Sequence, residues 1–318
     1  MPNTLEQELK DQYKRFNKVV IWGLRNRHHT HRVIHKAFYL GLRAAEIPVV
    51  WVEDQASSRQ VVQPGDLIIS SEAIGKMVPK KNALTDYHLP IRDDVFYCLH
   101  NFQDIFTKKI NPDQLLNLQV YANAAELNTD RWDSVTFFDR EKHILYQPWG
   151  TNLLPHQFKT PTFNKHKNVY WVGSVWNNAL NQGNINEISE LRAVLKKHEL
   201  NFVRLRFIPD FLNTFFIRQS RLAPAIGGKF QIDINYLPDR MFKNISYGHL
   251  GFSNIKKFDE LFAGCTITGT TIEELVVQVL QLSEKEYKDM TSAQQLIVTK
   301  HTPYNKLLNI VKGFENFV

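Results

Sequence analysis

The chain is poor in cysteine: Cys98 and Cys265 are the only two among 318 residues, far apart and each among apolar neighbours. This argues against a disulfide scaffold or a cysteine-built metal site and reads as two buried thiols in a reducing compartment. Long hydrophobic runs are missing as well. No segment approaches the roughly 18 consecutive apolar residues that cross a bilayer, so no transmembrane segment is expected. The opening Met-Pro-Asn-Thr-Leu-Glu-Gln-Glu-Leu-Lys is polar and acidic, unlike a secretory leader, and a cytoplasmic protein is the expectation. Repeats at solenoid periods and low-complexity tracts are also lacking.

Negative charge is in deficit. Lys and Arg number 39 against 32 Asp and Glu, for a formal charge of +7 and a pI near 9.2. Such a chain attracts an anionic partner: a nucleoside diphosphate, an anionic membrane surface or a nucleic acid. The basic residues are scattered, and the pairs Lys80-Lys81, Lys108-Lys109, Lys196-Lys197 and Lys256-Lys257 are too short for a nucleic-acid arm. No nucleic-acid partner is therefore expected, while weak association with a membrane surface stays open.

What is present is an ordinary globular composition, 43% apolar and 22% charged. The length favours two domains over one core. After a short polar helix over 1–17, residues 18–23 (Lys-Val-Val-Ile-Trp-Gly) read as a strand ending in Gly. A loop rich in Arg and His follows over 24–30, then an amphipathic helix over 31–45 with Val33, Ile34, Ala37, Phe38, Leu40 and Leu42 on its apolar face. That is the opening of a Rossmann-like half. Residues 47–52 form a second predicted strand with Glu53 and Asp54 at its carboxyl end, and further strands are predicted at 66–70, 95–99, 118–121, 134–138 and 143–146. The stretch 72–92 reads as loop with one helical turn, and 147–167 as a crossing segment and linker.

From 168 the pattern restarts. Strands are predicted at 168–174, 201–206 and 230–234, and helices at 185–198, 212–220, 273–282, 284–301 and 304–317, the last of which is expected to pack back onto the first domain. The expected fold class is α/β, with an N-terminal Rossmann-like acceptor domain over 1–160 and a C-terminal Rossmann-like donor domain over 161–318, facing each other across a cleft.

The stretch with the most chemistry runs Asn235-Tyr-Leu-Pro-Asp-Arg-Met-Phe-Lys-Asn-Ile-Ser-Tyr-Gly248-His-Leu-Gly251. Pro238 suits a helix start, Asp239 complements the helix dipole, and Gly248 suits a helix stop. Lys243 and Asn244 come one turn after Asp239 and Arg240. Exposed N–H groups, two cations and a carboxylate at one helix end suit a sugar diphosphate, with amides and cations for phosphate and the carboxylate for ribose hydroxyls.

This stretch resembles the donor-binding motif of the α1,3-fucosyltransferases, in which Tyr-Val-Thr-Glu-Lys precedes a short helix and a Gly. Here Tyr236 is followed at the same offsets by Asp239, Arg240 and Gly248. The resemblance covers about fifteen residues and implies a GT-B-like fold. It implies a nucleotide sugar as co-substrate, GDP- or UDP-linked, with no separate cofactor and no metal. It also implies transfer to an oligosaccharide or glycan acceptor with inversion, with Asp239 on the ribose and Arg240 on the phosphates. An Arg fork and a Lys point charge are different phosphate contacts. Gly173-Ser174 resembles the turn that opens the family's donor domain. Where the family carries a phosphate-binding Arg on or before the next helix, this chain has Asn184 and Asn186, so Arg204, Arg206 and above all Arg218 are the candidate cations.

The expected donor set is therefore Gly173, Ser174, Arg218, Asp239, Arg240, Lys243 and Asn244. Arg25, Arg27, His29 and His31 are the acceptor candidates. His31 and His35 lie one helical turn apart, but no zincin-type Glu lies between them and no acidic or Cys ligand lies nearby, so no metal is expected. Sugar transfer needs a base for the acceptor hydroxyl and a cationic site for the leaving diphosphate. Glu53, Asp54 and His100 sit at predicted strand carboxyl ends and are the base candidates. Two alternatives remain, a DNA-base glucosyltransferase and a non-catalytic binder of anionic glycan or nucleotide.

Overall fold

Ten helices and twelve strands can be followed in the computed structural model, which describes residues 4–26, 30–71, 89–100, 110–120, 130–178, 180 and 182–315. In chain order they begin with α1 (Thr4–Tyr13), β1 (Val19–Trp22), α2 (Thr30–Ala44), β2 (Val49–Val52), β3 (Leu67–Ser71), β4 (Phe96–His100) and β5 (Leu115–Gln119). Three short strands follow, β6 (Asp130–Arg131), β7 (Phe137–Asp139) and β8 (Ile144–Tyr146). The second half contributes β9 (Asn168–Val172), α3 (Ile185–Lys197), β10 (Asn201–Leu205), α4 (Asp210–Gln219), β11 (Ala223–Pro224), α5 (Lys229–Asp233), α6 (Asp239–Ser246) and β12 (Gly251–Phe252). The last four helices are α7 (Lys257–Leu261), α8 (Ile272–Gln281), α9 (Glu284–Val298) and α10 (Pro303–Glu315). The predicted loop turn at 72–88 lies outside the described residues, as do Arg27, His28 and His29.

The chain divides into two compact units. One comprises the described residues up to 120, then 130–147 and 303–315; the other comprises 148–302. The first unit is built on an eight-stranded sheet in the order β2-β1-β3-β4-β5-β8-β7-β6. Its first six strands in that order are parallel, and β7 and β6 run antiparallel at the far edge. Parallel strands covered on both faces read as unbroken apolar runs, and Val19–Trp22 and Leu67–Ser71 are buried along their whole lengths. From β1 the order runs to β2 on one side and to β3 on the other, which makes the carboxyl ends of β1 and β3 the topological switch point.

Helix α2 turns Ile34, Ala37, Phe38 and Leu42 inward, together with His31 and His35. In α10, Tyr304, Leu307, Leu308, Ile310, Val311 and Phe314 are buried, and the hydroxyl of Tyr13 in α1 donates to the Leu307 carbonyl at 3.2 Å. Gln147 holds the same helix, donating to the Lys306 carbonyl at 3.3 Å and accepting from Asn309 Nδ2 at 3.0 Å.

In the second unit β9 pairs with β10 and β11 with β12, both in parallel. Its core gathers Val169, Trp171, Ile188, Leu191, Leu195, Leu222, Leu250, Phe252, Leu275, Val276 and Tyr287. A buried amide ties its parts together: Gln294 accepts from the Gly251 N–H and donates to the carbonyls of Gly251 and Cys265, all at 2.9 Å. Helix α8 is capped by Thr271, and α9 by a reciprocal Ser283–Glu286 box.

Several predicted elements differ in kind or bounds, two of them with a local cause. The strand expected at 230–234 is helix α5. Gln231 reaches back to the Gly228 N–H at 3.1 Å, and Lys229 pairs with Asp233 at 2.7 Å, one helical turn on. A five-residue apolar pattern does not discriminate strand from helix, and these local polar contacts decide it. The strand expected at 134–138 begins only at Phe137, because the Asp133 carboxylate accepts from the N–H groups of Val135 (2.7 Å) and Thr136 (2.6 Å) and holds them in a turn.

Candidate functional site

Pro238 precedes α6 in extended conformation and Asp239 is its first residue, so the helix starts where its sequence indicates. Met241, Phe242 and Ile245 face the core, and Gly248 ends the helix with φ +90°. A side chain at Gly248 would collide with the Thr160 carbonyl, so only glycine fits this stop. The segment at 148–154 braces the helix. Thr151 Oγ1 meets Ser246 Oγ at 2.6 Å, Tyr247 donates to Asn152 at 2.8 Å, and Trp149 Nε1 donates to Tyr236 Oη at 3.1 Å.

The centre of the arrangement is Arg240. Its guanidinium carbon lies 3.6 Å from the centroid of the Trp171 ring, a close cation–π stack. Nη2 makes a long contact of 3.4 Å to the Val172 carbonyl, and the buried Nε has no hydrogen-bond partner among the described residues. Burial pulls the guanidinium pKa down to about 10, which still leaves it charged at neutral pH. Gly173, with φ +139°, makes this approach possible, since a Cβ there would fall on Nη2 of Arg240. A persistent, half-exposed cation, laid on an indole face beside a glycine, is suited to an anion.

Neither the protein-family models nor the curated proteins match this chain. The chemistry of the site therefore rests on its own residues.

The other donor candidates divide. Asp239 and Lys243 pair at 2.7 Å across one helical turn, both largely covered. Ser174 presents its carbonyl to Trp171 Nε1 at 3.4 Å. Asn244 is a correction: it is buried and donates to the Ala223 carbonyl at 2.9 Å, so it fastens α6 to β11 and is not presented to a ligand. Arg218 also differs from expectation. Its Nη1 donates to the carbonyls of Thr160 (3.0 Å) and Tyr247 (2.9 Å), latching the end of α6. Asn184 precedes α3 and accepts from the Trp176 N–H at 3.1 Å, a loop-holding role. His249, next to Gly248, is buried between Tyr287 Oη (2.7 Å) and the Arg218 carbonyl (3.4 Å), and burial lowers its pKa to about 4.

In the first unit the candidates sit near the carboxyl ends of β1, β2 and β4. Glu53 accepts from the Asn26 N–H at 2.7 Å, and exposed Arg25 donates to the Trp51 carbonyl at 3.0 Å, so both brace the loop after β1. Asp54 is half-buried next to Glu53. Arg27 and His29 lie outside the described residues. His100 and His31 are corrections. Both are buried, and together with His35 they form a cluster whose ring centroids lie 5.7 Å (His31–His100), 5.5 Å (His35–His100) and 6.2 Å (His31–His35) apart. Burial first, then the proximity of His35 and His31, holds His100 well below the usual histidine range. A ring at 0% exposure does not meet a solvent-borne acceptor, and His31 belongs to this cluster, not to an exposed acceptor face. Among the described residues no group of His, Cys, Asp or Glu is arranged to hold a metal ion.

Sequence reasoning missed Trp171 and Trp149. Trp171 stands two residues before Gly173 at a strand end, but an apolar run alone labels it as core. Helix periodicity paired His31 with His35, whereas His100, on β4, joins them only through tertiary packing.

Proposed function

We propose that the chain is a glycosyltransferase. It would move a sugar from a nucleoside diphosphate sugar, GDP- or UDP-linked, to an oligosaccharide or glycan acceptor, without a metal and with inversion, on a GT-B arrangement of two Rossmann-like domains. The observation that carries this reading is the half-buried Arg240 guanidinium, stacked on Trp171 beside Gly173. Breaking a sugar–phosphate bond leaves negative charge on the departing diphosphate, and a fixed cation in a partly dehydrated site stabilises that charge as it develops. In this reading a base takes the acceptor hydroxyl proton, the oxygen attacks the anomeric carbon, and the bond to the diphosphate oxygen breaks. The diphosphate leaves against Arg240, with the Gly173-Ser174 turn and Lys243 beside it and Asp239 toward the ribose. Glu53 and Asp54 are the base candidates kept, and Arg25 is the acceptor contact kept.

A second reading has an observation in its favour. Asp239 is engaged by Lys243 and Glu53 by the Asn26 N–H, as in a non-catalytic binder of anionic nucleotide or glycan.

Calorimetry against GDP, UDP, CDP, ADP and dTDP, with and without magnesium, tests both. GDP or UDP binding that is indifferent to magnesium and at least about tenfold weaker in Arg240→Ala is the expected result. Arg240→Lys, which keeps the charge and loses the fork, is expected to fall between. Turnover of the matching nucleotide sugar separates transferase from binder. Silence across the panel in the folded protein removes the donor-site assignment.

A further inference from the structure

A single aromatic side chain on a protein surface needs no explanation in itself. Trp176 is set apart by how firmly its backbone is held. It follows the end of β9 by four residues and leaves 43% of its surface exposed. Its N–H donates to Asn184 Oδ1 at 3.1 Å, and its carbonyl accepts from the Asn184 N–H at 2.9 Å, so one residue engages both of its backbone groups. On one side of it the Val175 carbonyl accepts from Arg204 Nη2 at 3.3 Å; on the other, Asn177 Oδ1 accepts from the Gly183 N–H at 3.2 Å. A Cβ at Gly183 would collide with the Trp176 carbonyl, so this close approach requires glycine. A residue pinned in this way presents its indole with little backbone freedom left to lose on binding.

Its place in the fold is the second observation. Ligands of parallel α/β sheets bind beyond the carboxyl ends of the strands, and Trp176 lies beyond that of β9. Gly173, against which Nη2 of Arg240 rests, is three residues earlier, so the two Cα atoms are at most about 11 Å apart. That range is within the reach of a nucleotide whose phosphates meet Arg240. The neighbouring rings already have cations on them: Trp171 carries Arg240 at 3.6 Å, and Phe207 carries Arg206 at 4.5 Å. Among the described residues no ring or guanidinium stacks on Trp176. Leu180 and Ile185, later in the same segment, are exposed as well, but aliphatic side chains offer no π face. Every nucleobase has one, and stacking on an aromatic side chain tolerates all of them.

We propose that Trp176 is the stacking platform for the nucleobase of the ligand whose phosphates Arg240 holds. The inference rests on the nucleotide reading of Arg240 and extends it to the other end of the ligand. Calorimetry with GDP, UDP and inorganic pyrophosphate, on the wild type, Trp176→Ala, Trp176→Phe and Arg240→Ala, tests it. Trp176→Ala is expected to weaken the nucleoside diphosphate about tenfold and to leave pyrophosphate unchanged. Trp176→Phe, which keeps a ring, is expected to stay close to the wild type, and Arg240→Ala to weaken both ligands. Because the indole is exposed, Trp176→Ala is expected to keep its melting temperature. Nucleotide binding by Trp176→Ala equal to the wild type would overturn the inference, as would equal weakening of nucleotide and pyrophosphate, which marks a brace. A loss seen only with a nucleotide sugar and not with its diphosphate would place the ring against the sugar and overturn it too. Pyrophosphate binding that needs Arg240, with no gain from the nucleoside, overturns this inference and leaves the anion site standing; no binding of either ligand by the wild type removes both.

Discussion

The strand edges of the two units bury different ionisable groups, and burial acts on them with opposite consequences. Near the carboxyl end of β4, the buried groups are the imidazoles of His31, His35 and His100. Burial, and then the proximity of His35 and His31, disfavours the charged form of His100 and holds it well below the usual histidine range. At the end of β9 the group is the half-buried guanidinium of Arg240, which keeps its proton even with its pKa drawn down to about 10. The first edge thus holds a histidine that burial keeps from charging, and the second a cation that stays charged. The same position at a strand end acquires different chemistry because the groups have different intrinsic proton affinities.

The largest expected effect that sharpens this contrast is on acid stability. His249, in the second unit, has its pKa lowered to about 4. The unfolded chain, with a histidine pKa near 6.5, takes up a proton between those values that the folded chain refuses. The stability contributed by the neutral ring is therefore complete above pH 6.5 and falls as pH drops through that window. The loss amounts to roughly 3 kcal/mol by pH 4. Denaturant unfolding at pH 7.5 and pH 4.5, on the wild type and on His249→Asn, measures it. The variant is expected to be less stable at pH 7.5 and to show a shallower fall with acid. An equal fall in both would break the link to His249. His100 shifts in the same direction, so the first unit is expected to weaken with acid as well.

Next in size is Gly173→Ala. The residue sits at φ +139° and its new methyl would displace the Arg240 guanidinium from Trp171, for a cost of about 1–3 kcal/mol. Calorimetric unfolding checks it, with tryptophan fluorescence reporting the loss of the stack. An unchanged melting temperature and spectrum would show that the stack is not held by the close approach.

The smallest is Asp239→Asn, which removes a largely covered ion pair with Lys243 at 2.7 Å. A loss of about 1 kcal/mol is expected in thermal unfolding. If Asp239 also meets a ribose, the variant should weaken a nucleoside diphosphate more than inorganic pyrophosphate. Equal weakening of both would confine its role to the helix.

Elements whose pattern is long or capped were legible in the sequence. The apolar run at β1, the amphipathic spacing of α2, the helices near 273–282 and 284–301 and the Pro238–Gly248 bounds around α6 all act through near neighbours, and the structure has an element at each. Short elements were not. The helix at 229–233 depends on two side-chain contacts that a five-residue apolar pattern does not announce. Among the candidate residues, Arg240 and Gly173 come together, whereas Asn244 and Arg218 are engaged by backbone carbonyls. A buried amide on a carbonyl and an arginine on backbone oxygens resemble ligand contacts until their partners are known.

By itself, the sequence determined the alternation of strands and helices, the positive balance of charge and the helix that begins at Asp239. These follow from backbone preference, periodicity and composition, which operate over a few residues at a time. Only the tertiary structure decided that Trp171, Gly173 and Arg240 meet, that three histidines from a helix and a strand share one cluster, and that the Trp176 ring stays partly outside. Each of those outcomes depends on which surfaces distant segments cover, and therefore on burial and proximity that no local pattern encodes.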